Sequence, residues 1–469
     1  MLGLSAILLE GLIGVLPLLP VNAQAAPSSQ ICVSTTGSDT TGDGSLAKPY
    51  ATISHAVTEA SSGARILVEP GIYSEMVTVM NKNLTITSVS GQPQNTIINA
   101  SGLWGGLIIN GSAAAGTVIR GLTIENANNH GIFVQDTTGV IIAGNMVLNN
   151  GLNPPSPNII DQDKAITLVG TSYCTVAGNT LSNNVEGGIS VSDDGAFNPG
   201  TGGDGIPNPA LGNIVSGNTL IANGAECAII VPAYNEGEGV VNNIVSNNVV
   251  VDNIAGIIVA ADFLNTVAVN NSVVFNTILN NGEGGVVIHS NDFGDVVTNN
   301  IVIGNTISGN GETPLFPGVI VGGEGPVPVQ NTTISSNIFH DEDYGVYVVN
   351  GIDTTVTADN MFDSSVSIPV LGATIATSPI QSAQSTANSA LSTANNALTA
   401  VYSAQSTLST LNSTLGATQT KVDDLNTATD ITADISYAAI AMQWHWAQWP
   451  LSSQEESQCK RMLWLLSGY

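Results

Sequence analysis

The chain of 469 residues carries 8 Lys and Arg against 36 Asp and Glu, a formal net charge of −28. Phosphate binding needs cationic neutralisation, so this balance excludes nucleic acid and anionic membrane as partners and favours cations or basic molecules. Charged residues make up only 9% of the chain and its four cysteines (Cys32, Cys174, Cys227, Cys459) lack metal-ligand spacing, which excludes a halophile-like acidic surface and a disulfide scaffold.

The first 25 residues are apolar from Leu2 to Val21 apart from Glu10, with small residues at Ala23 and Ala25. They read as a secretory signal peptide. The missing Lys or Arg before the apolar run leaves an uncleaved anchor as the alternative. Either reading puts the mature chain in the secreted or cell-surface compartment. Cys174 and Cys227 then read as buried single thiols.

A turn-rich segment follows, with Thr36-Gly-Ser-Asp39, Gly42-Asp-Gly44, Lys48-Pro-Tyr-Ala-Thr-Ile-Ser-His-Ala56 and Ile66-Leu-Val-Glu-Pro-Gly-Ile-Tyr73. It resembles the opening segment of secreted parallel β-helix proteins, which implies a short capping helix over about Ile53 to Ala60, then a first strand and turn.

From about Asn95 to Phe362 one phrase recurs, an extended apolar trio after a glycine: Gly131-Ile-Phe-Val134, Gly188-Ile-Ser-Val191, Gly256-Ile-Ile-Val259, Gly285-Val-Val-Ile288, Gly318-Val-Ile-Val321 and Gly345-Val-Tyr-Val348. Counted from Ala228-Ile-Ile-Val231, the later copies lie 27 to 33 residues apart. That spacing marks a solenoid, and runs of Val and Ile broken by Asn, Gly and Asp are strands. Leu is too sparse for a leucine-rich repeat. One coil cannot bury its own apolar face, so coils must stack. A second phrase ends in Asn, as in Ala143-Gly-Asn145 and Ile303-Gly-Asn305. Asn tolerates the left-handed conformation at corners, and stacked Asn amides can form a ladder. Asn145, Asn179, Asn218, Asn247 or Asn248, Asn276, Asn305 and Asn337 are the expected rungs.

After about Thr377 the composition shifts to Ala, Ser, Thr, Gln and Asn. Over 380–427, Ala387, Ala394, Val401, Leu408, Leu415 and Val422 lie seven apart, as do Ala383, Ala390, Ala397, Ala404, Leu411, Thr418 and Leu425. This a/d seam predicts an α-helical coiled-coil-like segment that either makes a homo-oligomer through 383–425 or folds back on its own chain. The tail, 428–469, holds Trp444, Trp446, Trp449 and Trp464 and reads as irregular.

The repeat and its N-terminal segment resemble the right-handed parallel β-helix, pectate-lyase-like family of secreted proteins over about 31–362, within a domain of 31–375 that includes the N-terminal cap. The resemblance implies an all-β solenoid and, for enzymes, lyases, hydrolases or epimerases acting on polysaccharide. A lyase of this fold typically uses Lys or Arg as base, yet between Arg120 and Lys421 the only basic residue is Lys164. A hydrolase needs paired carboxylates. Asp193 and Asp194 end one repeat strand and lead into a Gly/Pro loop, 195–210. Glu236 and Glu238 follow the next strand and Asp262 the one after. His289, Asp292 and Asp295 follow the next, and Glu324 the last. These loops leave the same corner of successive coils and can line one acidic groove. If the protein is an enzyme, Asp193, Asp194 and His289 are its catalytic set, although the Asn-x-Asp, Gly-His-Gly and Arg-x-Lys sequences usual in such hydrolases are missing. Tyr234, Glu236, Glu238, Asp262, Asp292 and Asp295 are ligand-groove residues. Phe197, Tyr234, Phe263 and Phe293 are placed to stack on sugar rings or to cap the core. A second acidic column, Glu186, Glu226, Glu283, Glu312 and Asp341-Glu-Asp343, reads as a solvated edge. No metal site is assigned; Ca2+ is the cation the acidic turns would take. The amide-rich shaft, the missing bases and the heptad stalk favour an adhesive or structural, non-enzymatic role; the exposed loops and the resemblance imply glycan binding, with extracellular polysaccharide or a cell-surface component as partner. The alternative is a polysaccharide-degrading glycoside hydrolase.

Overall fold

The computed structural model describes residues 30–152, 164–194, 208–224, 227–310, 317–323 and 325–376. The signal segment 1–25, most of loop 195–210, Glu226, Glu312, Glu324, the heptad segment 380–427 and the tail 428–469 lie outside the described residues. The described residues all belong to one compact unit, Met1–Asn388.

Each coil of the chain contributes one strand to each of several parallel sheets. Among the described residues there are one thirteen-stranded sheet, two of eleven strands and one of six. Parallel crossovers of this kind are right-handed. Side chains of one register stack through the interior. In the thirteen-stranded sheet Ile142, Val176, Val215, Val245, Val273, Val302 and Ile334 follow one another coil by coil. All are buried. Burial of such a side chain stabilises by roughly 1.5–3 kcal/mol, and no isolated coil could collect it.

The early coils have three faces. A fourth face, the six-stranded sheet, begins at Ala210–Leu211 and continues through Gly239–Val241, Val267–Val269 and Val296–Thr298. Strands of only three residues on the other faces let one period hold four strands.

Three of the four corners are locked by Asn ladders. One runs Asn145, Asn179, Asn218, Asn248, Asn276, Asn305, Asn337, Asn360, with each Nδ2 donating to the next Oδ1 at 2.9 to 3.1 Å. The second runs Asn150, Asn184, Asn223, Asn253, Asn281, Asn310 and ends on Glu342. The third, Asn213, Asn243, Asn271, Asn300, accompanies the fourth face. Most rungs also donate to a carbonyl of an earlier coil, as Asn248 does to Val215.

The expectation that the rung itself is left-handed is corrected. The residue before it takes the positive φ: Asn247 (54°) before Asn248, Gly304 (69°) before Asn305, Phe275 (57°) before Asn276. That twist turns the next side chain inward, where it stacks. Gly-Asn and Asn-Asn are therefore the same corner, with Gly and Asn as the residues best suited to the left-handed position.

The N-terminal cap contains the expected helix, α1 (Ile53–Glu59). Glu75 Oε1 and Oε2 accept the orphan amides of Ile53 and Ser54. Lys82 Nζ donates to the carbonyls of Val57, Thr58 and Ala60 at the other end. Negative charge at the start and positive charge at the end complement the helix dipole. Cys32 and Cys174 are buried free thiols, and Cys227 is buried as well.

Candidate functional site

The fourth corner has no Asn ladder. Its turns join the eleven-stranded sheet of the Gly-Ile-x-Val strands to the six-stranded sheet. They follow Ile189–Ser192, Cys227–Ala233, Ala255–Ala261 and Val286–Ser290. The acidic loops thus share one corner.

Buried carboxylates do here what Asn does elsewhere. Asp193 accepts the amides of Tyr234 (2.8 Å) and Asn235 (3.2 Å) and the Asn235 side chain (3.1 Å), tying its turn to the next coil. Burial pushes the Asp193 carboxyl up to about 7, against the pull of these donors. Asp295 accepts the Thr266 amide and hydroxyl on one oxygen, and the Asn291 and Asp292 amides and the Ser290 hydroxyl on the other. Asp295 is therefore a buried turn anchor rather than a groove residue.

Asp194 faces away from its neighbour. It accepts from Gln135 Nε2 at 2.9 Å, two strands back in the same sheet. Its backbone pairs with Asn208 through two bonds of 2.8 Å. Its Oδ1 is buried with no hydrogen-bond partner. The two adjacent carboxylates diverge, as successive residues of a pleat must.

His289 lies three strand spacings from Asp193 through the pairings of its sheet, roughly 14 Å at the usual interstrand distance. The structure therefore does not bring Asp193, Asp194 and His289 into one constellation. His289 Nε2 instead lies 3.4 Å from Asp262 Oδ1, and its Nδ1 lies 2.9 Å from Asn291 Oδ1. Asn291 Nδ2 also donates to Asp262, at 3.0 Å.

The outward residues of this corner are Tyr234, Glu236, Glu238, Phe263, Asp292 and Phe293. Glu236 accepts from Asn265 of the next turn at 2.7 Å. Glu238 is half-buried where its turn closes. Tyr234 and Phe263 meet edge-on, with ring centroids 5.7 Å apart. The Asn265 amide donates to the Phe293 carbonyl at 3.0 Å, so the turns of Phe263 and Phe293 are neighbours. Phe263 is 37% and Phe293 66% exposed, so neither caps the core. Asn265 and Asn291, which join the turns, carried no sequence signal beyond their place in the loops.

The second acidic column is only partly a solvated edge. Glu283 is exposed, but Glu186 and Glu342 are buried. His130 is also buried, its Nδ1 2.9 Å from Thr167 Oγ1, against Trp104 and Phe133. Among the described residues, no group of three His, Cys, Asp or Glu side chains is arranged to hold a metal ion. No helix among them is long and apolar enough to cross a membrane.

The stacked parallel sheets define the class: a right-handed parallel β-helix. A family model described as a protein of unknown function (DUF1565) matches residues 35–266. No curated protein matches the chain. Similar solved structures include the pectate lyase Pel9A, at 15% identity over 74% of this chain and 82% of that one, with a TM-score of 0.49. An alginate lyase from Paenibacillus sp. str. FPU-7 is 19% identical over 69% of this chain and 96% of that one, with a TM-score of 0.42. The Streptococcus pneumoniae surface protein and adhesin PfbA is 13% identical over 68% and 90%, with a TM-score of 0.43. At such identities the likeness is one of fold.

Proposed function

We propose that the chain is a secreted or cell-surface β-helix protein that binds glycan through its ladder-free corner, in an adhesive or structural role. The observation that carries this reading is the row Tyr234, Phe263 and Phe293 on successive turns, with two rings substantially exposed. Exposed aromatic faces lie flat on the apolar faces of sugar rings, while Glu236, Asp262 and Asn291 offer hydrogen bonds to hydroxyls. Binding is favoured over cleavage because Asp193 and Asp295 are sealed and occupied by turn amides.

One observation favours the glycoside hydrolase as a second reading. Asp193, held near 7 by burial, has the proton affinity of a general acid. Its oxygens, however, are committed to Tyr234 and Asn235.

The test is a broad glycan array at several pH values, with and without calcium, followed by Phe263→Ala and Phe293→Ala on any sugar retained. Loss of retention with unchanged thermal stability supports the corner. An array on which the folded protein retains nothing ends the glycan reading. Reducing ends released from a bound polysaccharide would replace binding with hydrolysis.

A further inference from the structure

We propose that the glycan taken by this corner is cationic, a polymer of amino sugars with free amines. This rests on the glycan-binding reading and goes beyond it in naming the substrate class. The chain has no Lys or Arg between Lys164 and Lys421, so every coil with the fourth face is built without a permanent cation. Within that stretch, Asp262 and Asp292 immediately precede the exposed Phe263 and Phe293, Glu236 accepts from Asn265 on the turn of Phe263, and Glu238 lies on the same turn as Glu236. Glu236 accepts from an amide side chain and Asp292 from a backbone amide, which donate hydrogen bonds without supplying charge. His289 beside Asp262 is the one titratable base of these turns, and Asp193 and Asp295 are buried beneath them.

Carboxylates on turns one coil apart repel one another, and a polymer carrying regularly spaced ammonium groups relieves that repulsion along its whole length. The same ammonium groups are attracted to the faces of the phenylalanine rings. A polyuronate would add charge of the wrong sign. A neutral glucan would gain stacking and leave the repulsion in place. Charge complementarity beside an exposed aromatic row therefore selects the amino sugar.

The experiment compares a β-1,4-linked glucosamine hexamer with its fully N-acetylated counterpart, on the full chain, by calorimetry in low and high salt. The two probes share a backbone and differ in charge. The expected result is at least about tenfold tighter binding of the free amine, with the preference shrinking as salt screens it. It should also shrink in Glu236→Gln/Glu238→Gln and in Asp262→Asn/Asp292→Asn; the first pair avoids the Asp262–Asn291 contact in case the second fails to fold. Equal or tighter binding of the acetylated hexamer overturns this proposal and leaves glycan binding standing. So does a preference that survives both double substitutions, because the charge would then act elsewhere. Binding of neither hexamer, in a chain that also retains no glycan on the array, overturns both.

Discussion

Asn310 donates both its backbone amide and its side-chain amide to one oxygen of Glu342, at 3.1 and 2.9 Å. Glu342 occupies the place of an Asn rung at the end of the second ladder, with its other oxygen buried and unpaired. Burial pushes its carboxyl up to about 7, helped by Asp341 and Asp343 on either side. Asp193 is raised to about 7 for the same leading reason. A raised carboxyl favours the protonated folded state, so its stabilising effect is complete below the unfolded pKa and is lost as pH rises through the folded one. The melting temperature should therefore fall between pH 4.5 and pH 7 and level off above. Glu342→Gln should flatten that slope and raise stability at pH 8 by on the order of 1–3 kcal/mol. A melting curve series in which the variant and the parent share one slope would refute this.

The opposite sign holds for Asp359 and Asp363. Hydrogen bonds from Thr357, Ser336 and Ser335 hold Asp359 below the usual carboxylate range although burial opposes them. His340 and Ser365 hold Asp363 down to about 2. Their contributions should disappear only as pH falls below about 4 and on toward 2. The expected optimum is a mildly acidic plateau, readable by circular dichroism across pH 2 to 8.

Asn248→Ala should be among the most damaging single changes in the shaft. The side chain accepts from the Asn218 amide and side chain and donates to Val215 and Asn276. Its removal strands several buried polar groups, each costing about 1–3 kcal/mol. By contrast, Asn247→Gly should cost little, since that position needs only a positive φ. Chemical denaturation of the two variants side by side separates the rung from the twist that aims it.

Lys82→Met should loosen the cap without touching the shaft. It removes the donor to three carbonyls at the end of α1. A loss of about 1–2 kcal/mol is expected, concentrated in the first coils. Hydrogen exchange should rise over 53–68 and remain unchanged around Asn276. Uniform change along the chain would argue against a local role.

Deleting 379–426 should leave a folded monomer if that heptad segment is the oligomerising stalk proposed from its seam. Light scattering on both forms decides it; an unchanged subunit number removes the stalk.

The architecture was legible because each of the three ladder corners is spelled by a residue pair. Gly144-Asn145 and Asn280-Asn281 look different as text but impose one geometry. The shared corner of the acidic loops was legible too, because the turns follow one recurrent strand phrase. What could not be read was direction. Asp193 and Asp194 are neighbours in sequence and point to different coils. The distance from Asp193 to His289 depends on how many coils intervene, which composition does not reveal. Glu342 looked like a surface acid because its backbone position, not its residue type, puts it in the ladder.

The ladders also bear on how such a shaft can change length. A rung joins residues 28 to 42 positions apart along most of the shaft, and three rungs are set by every full circuit of the later coils. Adding or removing one whole circuit leaves all three columns intact. A partial insertion at a rung corner would throw them out of phase together, much as a frameshift disrupts every codon after it. The fourth corner is exempt, since it carries no column. Growth of this molecule should therefore come in quanta of one coil, about 4.8 Å each, while the turns of the fourth corner are free to vary residue by residue.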